Sequence, residues 1–165
     1  MALTLTARVT SPLSPDDDEL RRIYRAGLLH DIGKLGVSNG ILDKNGPMTP
    51  EERERMELHP KYTLEILQRV SAFSSFAWTA SLHHEKLDGT GYPFGLRSEA
   101  IDLPSRILVV SDIYDALTSD RPYRKGMHEE KAAAIMDSER GSKLCPVALD
   151  ALRAVRSGVQ NHTDN

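Results

Sequence analysis

Apolar residues recur at intervals of three and four positions along most of the chain, which is the spacing of amphipathic helices rather than strands. The first such segment spans residues 14 to 34. Ser14 and Pro15 fit its N-cap and first helical position, and the acidic residues after them suit the positive end of a helix dipole. The predicted buried stripe of this helix consists of Leu20, Ile23, Tyr24, Gly27 and Leu28.

Six further segments carry a helical pattern, and they span residues 50–58, 60–70, 73–86, 104–117, 128–138 and 146–156. Thr49 and Glu52 have the spacing of a capping box at the start of the first of these. Residues 87–103 contain several glycines and prolines, so a long loop is expected there. The sequence contains no convincing alternating strand pattern, and the predicted fold class is all-α.

A single domain is expected, because 165 residues are too few for two domains of ordinary size. This domain should span residues 16–156. Residues 1–15 are rich in Ser, Thr and Pro and are predicted to be a poorly ordered lead-in, and residues 157–165 are predicted to be a flexible tail.

The composition indicates which binding partners and which cellular compartment are expected. The net charge of −3 gives no general attraction to DNA, and the longest aliphatic run covers only residues 107–110, too few to span a membrane. The single cysteine, Cys145, excludes an internal disulfide and fits a reducing cytosol, so a cytoplasmic location is expected.

Two polar residues fall on the predicted apolar stripe of the first helix. Asp31 lies three positions after Leu28, and His30 lies seven positions after Ile23. A buried carboxylate is costly unless it is paired, hydrogen-bonded or bound to a metal. The pair is explained equally well if Asp31 caps a neighbouring helix and His30 only fills space.

The same anomaly recurs in three other segments. Asp112 and Asp115 share a helical face with Leu108, and His83 and His84 continue the small-residue face of Ala80. Four of the six histidines and two aspartates therefore lie beside apolar faces: His30, His59, His83, His84, Asp31 and Asp112. Imidazole and carboxylate without thiolate is a ligand set for iron, manganese or zinc, and six donors suggest two ions that share a bridging carboxylate.

Four motifs carry a resemblance to a known family. HDIGK at 30–34, HP at 59–60, HHEKLDGTGYP at 83–93 and SDIYDALTSDRPYR at 111–124 resemble the HD-GYP family of HD phosphohydrolases, in the family's order and spacing. The resemblance implies an HD-domain helical bundle with a long GYP loop and two or three divalent metal ions, iron or manganese. It also implies hydrolysis of cyclic di-GMP to pGpG or GMP in bacterial cells.

The resemblance also implies roles for single residues. The implied metal ligands are His30, Asp31, His59, His83, His84 and Asp112, with Asp31 as the bridging and catalytic carboxylate. Lys34 resembles a lysine that contacts phosphate or assists proton transfer. The other implied substrate contacts are Gly91, Tyr92, Asp115, Arg121 and Arg124. We expect the GYP loop to be free to cover and release the cyclic dinucleotide. The loop is also expected to offer a surface to signalling proteins.

One element of the family pattern is missing. Members usually carry another histidine, often with a glutamate, on a helix before the HD pair, whereas residues 1–29 contain no histidine and Glu19 lies too near. Three explanations are open: water takes the place of this ligand, the chain is a fragment, or it is a degenerate module that binds cyclic di-GMP or docks on proteins without catalysis. An HD hydrolase for another nucleotide and a purely structural bundle are further alternatives.

Overall fold

The computed structural model describes residues 16–120 and 124–160, with side chains up to residue 156. The predicted lead-in, the proposed caps Ser14 and Pro15, and Arg121 lie outside this part. Within it the helical segments are α1 (Asp17–Leu29), a 3-10 helix (Ile32–Gly36), α2 (Asn39–Leu42), α3 (Pro50–Met56), α4 (His59–Gln68), α5 (Ser71–Ser81), a second 3-10 helix (Ser98–Ala100), α6 (Leu103–Thr118), α7 (Glu129–Ser138) and α8 (Pro146–Gln160).

The prediction of an all-α protein is confirmed. In the described ranges no strand is found, and isolated β-bridges such as the pair Asp88 and Arg97 do not extend into strands. The short helix α2 was not predicted, and α8 reaches Gln160, past the expected helix end at residue 156.

Local hydrogen bonds explain where several helices begin. The Asp16 side chain accepts the backbone N–H of Glu19 at 2.7 Å, so Asp16 is the N-cap of α1 and the prediction of Ser14 is wrong. The capping box between Thr49 and Glu52 at the start of α3 is confirmed. α6 is capped by Asp102, whose side chain accepts from the backbone of Ser105.

The buried face of α1 differs from the predicted stripe. Ile23, Ala26 and Gly27 are buried, whereas Tyr24 and Leu28 are 41% and 47% exposed. The small residues of α1 face α5, which also presents alanines, and such faces allow two helices to approach closely. Because of this close approach, α1 buries the face that carries its small residues. The larger residues Tyr24 and Leu28 are left exposed.

Two buried clusters organise the bundle. One lies between α6, α7 and α8 and contains mainly aliphatic side chains such as Val110, Met136 and Leu149. The other joins α1, α4, α5 and α6 through Ala26, Leu67, Phe76, Ala77, Ala80 and Leu108. The second cluster lies beneath the ends of the helices that carry the candidate ligands, so it fixes their relative positions.

None of the helices in the described ranges combines the length and apolar character that a membrane span requires.

Candidate metal centre

Five of the six candidate ligands lie at or near helix ends, and the sixth, Asp112, lies within α6. His30 is the C-cap of α1, Asp31 follows it at the start of the first 3-10 helix, and His59 is the first residue of α4. The predicted continuation of the first helix to residue 34 is wrong, and Asp31 reaches the site from a turn. His83 and His84 likewise follow the end of α5 at Ser81 and do not belong to a helix that continues to residue 86.

Three of the histidines are oriented in the same way by the backbone of the preceding turn. Each ring donates its Nδ1–H to the carbonyl oxygen three residues earlier, at 2.7 or 2.8 Å: His30 to Gly27, His59 to Met56 and His83 to Ala80. In the neutral ring this bond leaves a lone pair on Nε2. It is the arrangement in which a second partner fixes the tautomer of a metal-binding imidazole.

The Nε2 atoms of His59 and His83 point at each other and at one carboxylate oxygen. They lie 3.1 Å apart, and Oδ1 of Asp31 is 3.3 Å from the first and 3.7 Å from the second. Both rings are buried, so water does not screen these electron-rich atoms. Lone pairs this close repel one another unless a cation or a proton lies between them, and the donor set fits a divalent metal ion.

A second group of donors continues from the same carboxylate. Nε2 of His30 lies 3.5 Å from Oδ2 of Asp31 and 3.5 Å from Oδ1 of Asp112. Nδ1 of His84 lies 3.9 Å from Oδ2 of Asp112. The donor atoms of His59, His83 and His84, and those of His30, Asp31 and His83, lie within 4.8 Å of one another in each group. The two oxygens of Asp31 therefore face both groups.

Burial keeps two of the histidines neutral. It lowers the pKa of His83 well below its usual range, assisted by the neighbouring rings, and it lowers the pKa of His84 to about 4. Neutral imidazole is the form that binds a metal, so these two rings are ready as ligands at pH 7 without losing a proton.

The charges around Asp31 have the opposite effect on the carboxyl. Burial raises its pKa, but the charges of His30 and Lys34 and the hydrogen bond from Lys34 outweigh burial and hold the pKa well below its usual range. Burial lowers the pKa of His30, and the carboxylates of Asp112 and Asp31 outweigh it, so the pKa of His30 is raised. Asp31 is therefore ionised at neutral pH, as a metal ligand must be.

The donors open into a cavity of about 540 Å³. It is lined by Asp31, Lys34, Leu42, Met56, His59, His84, Tyr92, Asp112 and Ala116. Nζ of Lys34 lies 2.6 Å from Oδ2 of Asp31, and the Tyr92 ring lies 4.7 Å from the His84 ring between centroids. The cavity thus places a cation and an aromatic ring beside the donor groups.

The other described residues that were predicted to contact substrate are not among those that line this cavity. Asp115 accepts the Ser119 hydroxyl at 3.1 Å, and Arg124 donates to the carbonyl oxygen of Ala116 at 2.6 Å, so its guanidinium lies near the cavity rim. Gly91 packs on the bundle: a Cβ there would lie 2.5 Å from Cα of Glu85. Gly91 is therefore required for this close approach, whatever it contributes to substrate.

Glu85 is a residue that the sequence analysis left without a role. Its carboxylate is buried, and it accepts the backbone N–H of Phe94 at 2.7 Å and that of Leu96 at 2.9 Å. The sequence carried only a general signal, an acid directly before a glycine-rich loop, and the folded loop determines which amides this acid accepts.

The same loop is held at its far end as well. Arg106 donates to the carbonyl oxygens of Ile101 at 2.7 Å and Ser98 at 2.5 Å. Tyr92 also donates its backbone N–H to the carbonyl oxygen of His84 at 3.2 Å. These hydrogen bonds hold the loop against the bundle in this structure, and its opening and closing over a substrate stays a prediction.

Replacing Glu85 by alanine is expected to lower the free energy of unfolding by about 3 kcal/mol, because two partly buried amides lose a charged acceptor. Glu85→Gln keeps one acceptor oxygen and should lose about half as much. Hydrogen exchange at Phe94 and Leu96, with thermal unfolding, measures both effects. Glu99→Ala, at an exposed acid of the same loop, is the control. Unchanged exchange at both amides in Glu85→Ala would contradict the assigned bonds.

Known proteins are similar in sequence to most of this chain. A family model described as HD domain matches residues 2–146. The chain is 45% identical over 148 residues to the 3'3'-cGAMP-specific phosphodiesterase 3 of Vibrio cholerae, covering 90% of this chain and 32% of that protein. It is 37% identical over 154 residues to the cyclic di-GMP phosphodiesterase response regulator RpfG of Xanthomonas campestris, covering 92% and 41% respectively. The chain thus spans less than half the length of these relatives.

Solved structures give the same picture of the fold. A cyclic GMP-AMP specific phosphodiesterase of Vibrio cholerae aligns with a TM-score of 0.56 and 36% identity, covering 94% of this chain and 35% of that one. An HDG"Y"P protein from Bdellovibrio bacteriovorus aligns with a TM-score of 0.76 over 94% of this chain and 50% of that one. Its identity of 22% supports a shared fold alone. The predicted helical bundle of HD type is confirmed.

Proposed function

Because the chain belongs to the HD domain family, and within it to the HD-GYP group, we propose that it is a metal-dependent phosphodiesterase that hydrolyses cyclic di-GMP to pGpG or GMP. The observation that carries this proposal is the buried convergence of His59, His83 and Asp31 at one end of an open cavity. Names of relatives make 3'3'-cGAMP the second substrate to test.

The residues fit two divalent ions, and we propose iron or manganese. His59, His83 and His84 would hold one ion, and His30 with Asp112 would hold the other, with Asp31 shared between them. Nitrogen and oxygen donors without thiolate suit these metals. When bound, such ions lower the pKa of water and neutralise charge on phosphoryl oxygens.

Lys34 contributes a positively charged side chain to the wall of the cavity. Its ammonium group lies 2.6 Å from Asp31, so it is oriented toward the site and does not extend freely into water. We propose that it contacts a non-bridging phosphoryl oxygen and delivers a proton to the ribose oxygen that leaves when the phosphorus–oxygen bond breaks.

Tyr92 and the residues at the end of α6 would orient the nucleotide. Burial raises the pKa of the Tyr92 phenol, so its hydroxyl remains a neutral donor, and its ring offers a face for stacking a base. Asp115, Arg121 and Arg124 are proposed as further contacts to the sugar and phosphates, with the guanidinium of Arg124 near the rim.

Removal of metal is expected to abolish turnover. Protein purified without oxygen should contain about two iron or manganese ions per chain by elemental analysis and should convert cyclic di-GMP to linear products. A chelator should stop this reaction, and added Mn²⁺ or Fe²⁺ should restore it. Tight binding of cyclic di-GMP by metal-loaded protein without turnover would instead support the non-catalytic binding module.

A further inference from the structure

A second concave surface of about 390 Å³ adjoins the metal cavity and shares Asp31, Lys34 and Leu42 with it. The rest of its lining comes from the first 3-10 helix and from α2. We call the residues Ile32, Leu35, Asn39 and Leu42 the shelf. The shelf has a role in none of the steps proposed so far.

Leu35 is the unusual member of the shelf. Its exposed fraction is 80%, larger than that of any other exposed large apolar side chain in the described ranges, and Leu42 is 37% exposed beside it. A single exposed leucine needs no explanation. Here two leucines border a concave surface that runs directly into a charged site, which is the usual arrangement of a ligand pocket.

Asn39 gives the shelf a polar edge. Its side chain is exposed at the start of α2, and among the residues that the structure describes its amide has no hydrogen-bond partner. A side-chain amide offers both a donor and an acceptor. Such a group beside the apolar side chains of the shelf suits an aromatic ring that has apolar faces and polar groups along its edge.

The ligand chemistry follows from the position of Lys34. Lys34 lies between the cavity and the shelf, so a phosphate held by Lys34 places the attached nucleoside within reach of Leu35 and Leu42. Purine faces stack on apolar side chains, and their edges form hydrogen bonds with amides. The metal cavity itself offers Tyr92 to the other base.

We propose that the shelf binds one purine base of the cyclic dinucleotide and that Asn39 contacts the edge of this base. The proposal rests on the proposed function and adds to it the determinant of base choice. A neutral amide can match guanine or adenine by rotating. An aspartate at position 39 could only accept, which suits the N1–H and N2–H groups of guanine better than the edge of adenine.

The test compares substrates with and without bases. Metal-loaded wild-type protein, Leu35→Ser and Asn39→Asp are assayed with cyclic di-GMP, 3'3'-cGAMP and bis(p-nitrophenyl) phosphate. In Leu35→Ser, kcat/KM for both dinucleotides should fall about tenfold relative to kcat/KM for the base-free ester, mainly through KM. In Asn39→Asp, 3'3'-cGAMP should bind with its guanine on the shelf, so the ratio of its two linear products, pGpA and pApG, should shift about tenfold from the wild-type ratio.

Ile135→Ser is the matched control, because Ile135 is an exposed aliphatic side chain on α7, away from the shelf. Its kinetics should equal those of the wild type with all three substrates. If the wild type cleaves cyclic di-GMP but Leu35→Ser keeps the wild-type ratio of dinucleotide to base-free ester and Asn39→Asp keeps the wild-type product ratio, the shelf proposal is overturned and the proposed function stands. Metal-loaded wild-type protein that does not cleave cyclic di-GMP overturns the proposed function and the shelf with it.

Discussion

His83→Ala is expected to lose bound metal and phosphodiesterase activity together. Nε2 of His83 belongs to both donor groups, and its ring is completely buried between His30, His59 and His84. Removing it takes a ligand from the ion proposed to bind His59, His83 and His84, and it leaves a buried gap beside His30 and Asp31. We expect less than one metal ion per chain and a loss of kcat/KM of about a thousandfold, or about 4 kcal/mol.

Elemental analysis and turnover of bis(p-nitrophenyl) phosphate measure this prediction. His128→Ala is the control, because the His128 side chain is 79% exposed at the start of α7. Thermal unfolding of metal-free wild type and metal-free His83→Ala separates loss of a ligand from loss of the fold. A folded variant that keeps its full metal content would show that His83 is not a ligand.

Local signals in the sequence were sufficient for the fold class and for several helix boundaries. The capping box of Thr49 and Glu52 involves residues three apart, and the structure contains both of its hydrogen bonds. The helix α6 begins within one residue of its predicted start because Asp102 and Pro104 mark it in the sequence. Such features depend on neighbours along the chain, so a sequence can reveal them.

The candidate ligands were found partly by an incorrect route. Helical periodicity assigned Asp31 to the same stripe as Leu28, but α1 ends at Leu29 and Leu28 is exposed. Asp31 nevertheless approaches His59 and His83, because the turn after α1 redirects the chain. The motif resemblance named the same six residues, which the structure brings together, and periodicity alone would not have established that they converge.

Features that depend on distant segments could not be predicted. Glu85 binds amides nine and eleven residues later, and this pairing is defined only once the loop is folded. Which face of α1 is buried depends on the small residues of α5 that it meets. In both cases the determining contact joins two elements, whereas hydropathy describes each element alone.

Gly33→Ala is expected to destabilise the protein and to disturb the metal centre at the same time. A Cβ at Gly33 would lie 1.9 Å from the carbonyl oxygen of His59 and 2.4 Å from the backbone nitrogen of Thr63. These are backbone atoms of α4, which cannot rotate away. The cost should be about 3 kcal/mol, a decrease in Tm of about 6 to 12 °C for a domain of this size.

The same contact positions two ligands. Gly33 donates its backbone N–H to the Thr63 hydroxyl at 3.0 Å, and that hydroxyl donates to the carbonyl oxygen of His30 at 2.7 Å. The first 3-10 helix is thereby held on α4, with Asp31 beside His59. A displacement of about 1 Å at this contact should reduce activity about a hundredfold and weaken metal binding.

Gly40→Ala is the matched control for Gly33→Ala, because a Cβ at Gly40 meets only Oγ of Ser38 at an ordinary 3.6 Å. Its Tm and metal content should remain close to those of the wild type. If Gly33→Ala is as stable as this control, the close packing of the turn on α4 is wrong. If it is destabilised but retains full metal content and activity, the position of Asp31 beside His59 does not depend on this packing, and the metal itself must draw the two ligands together.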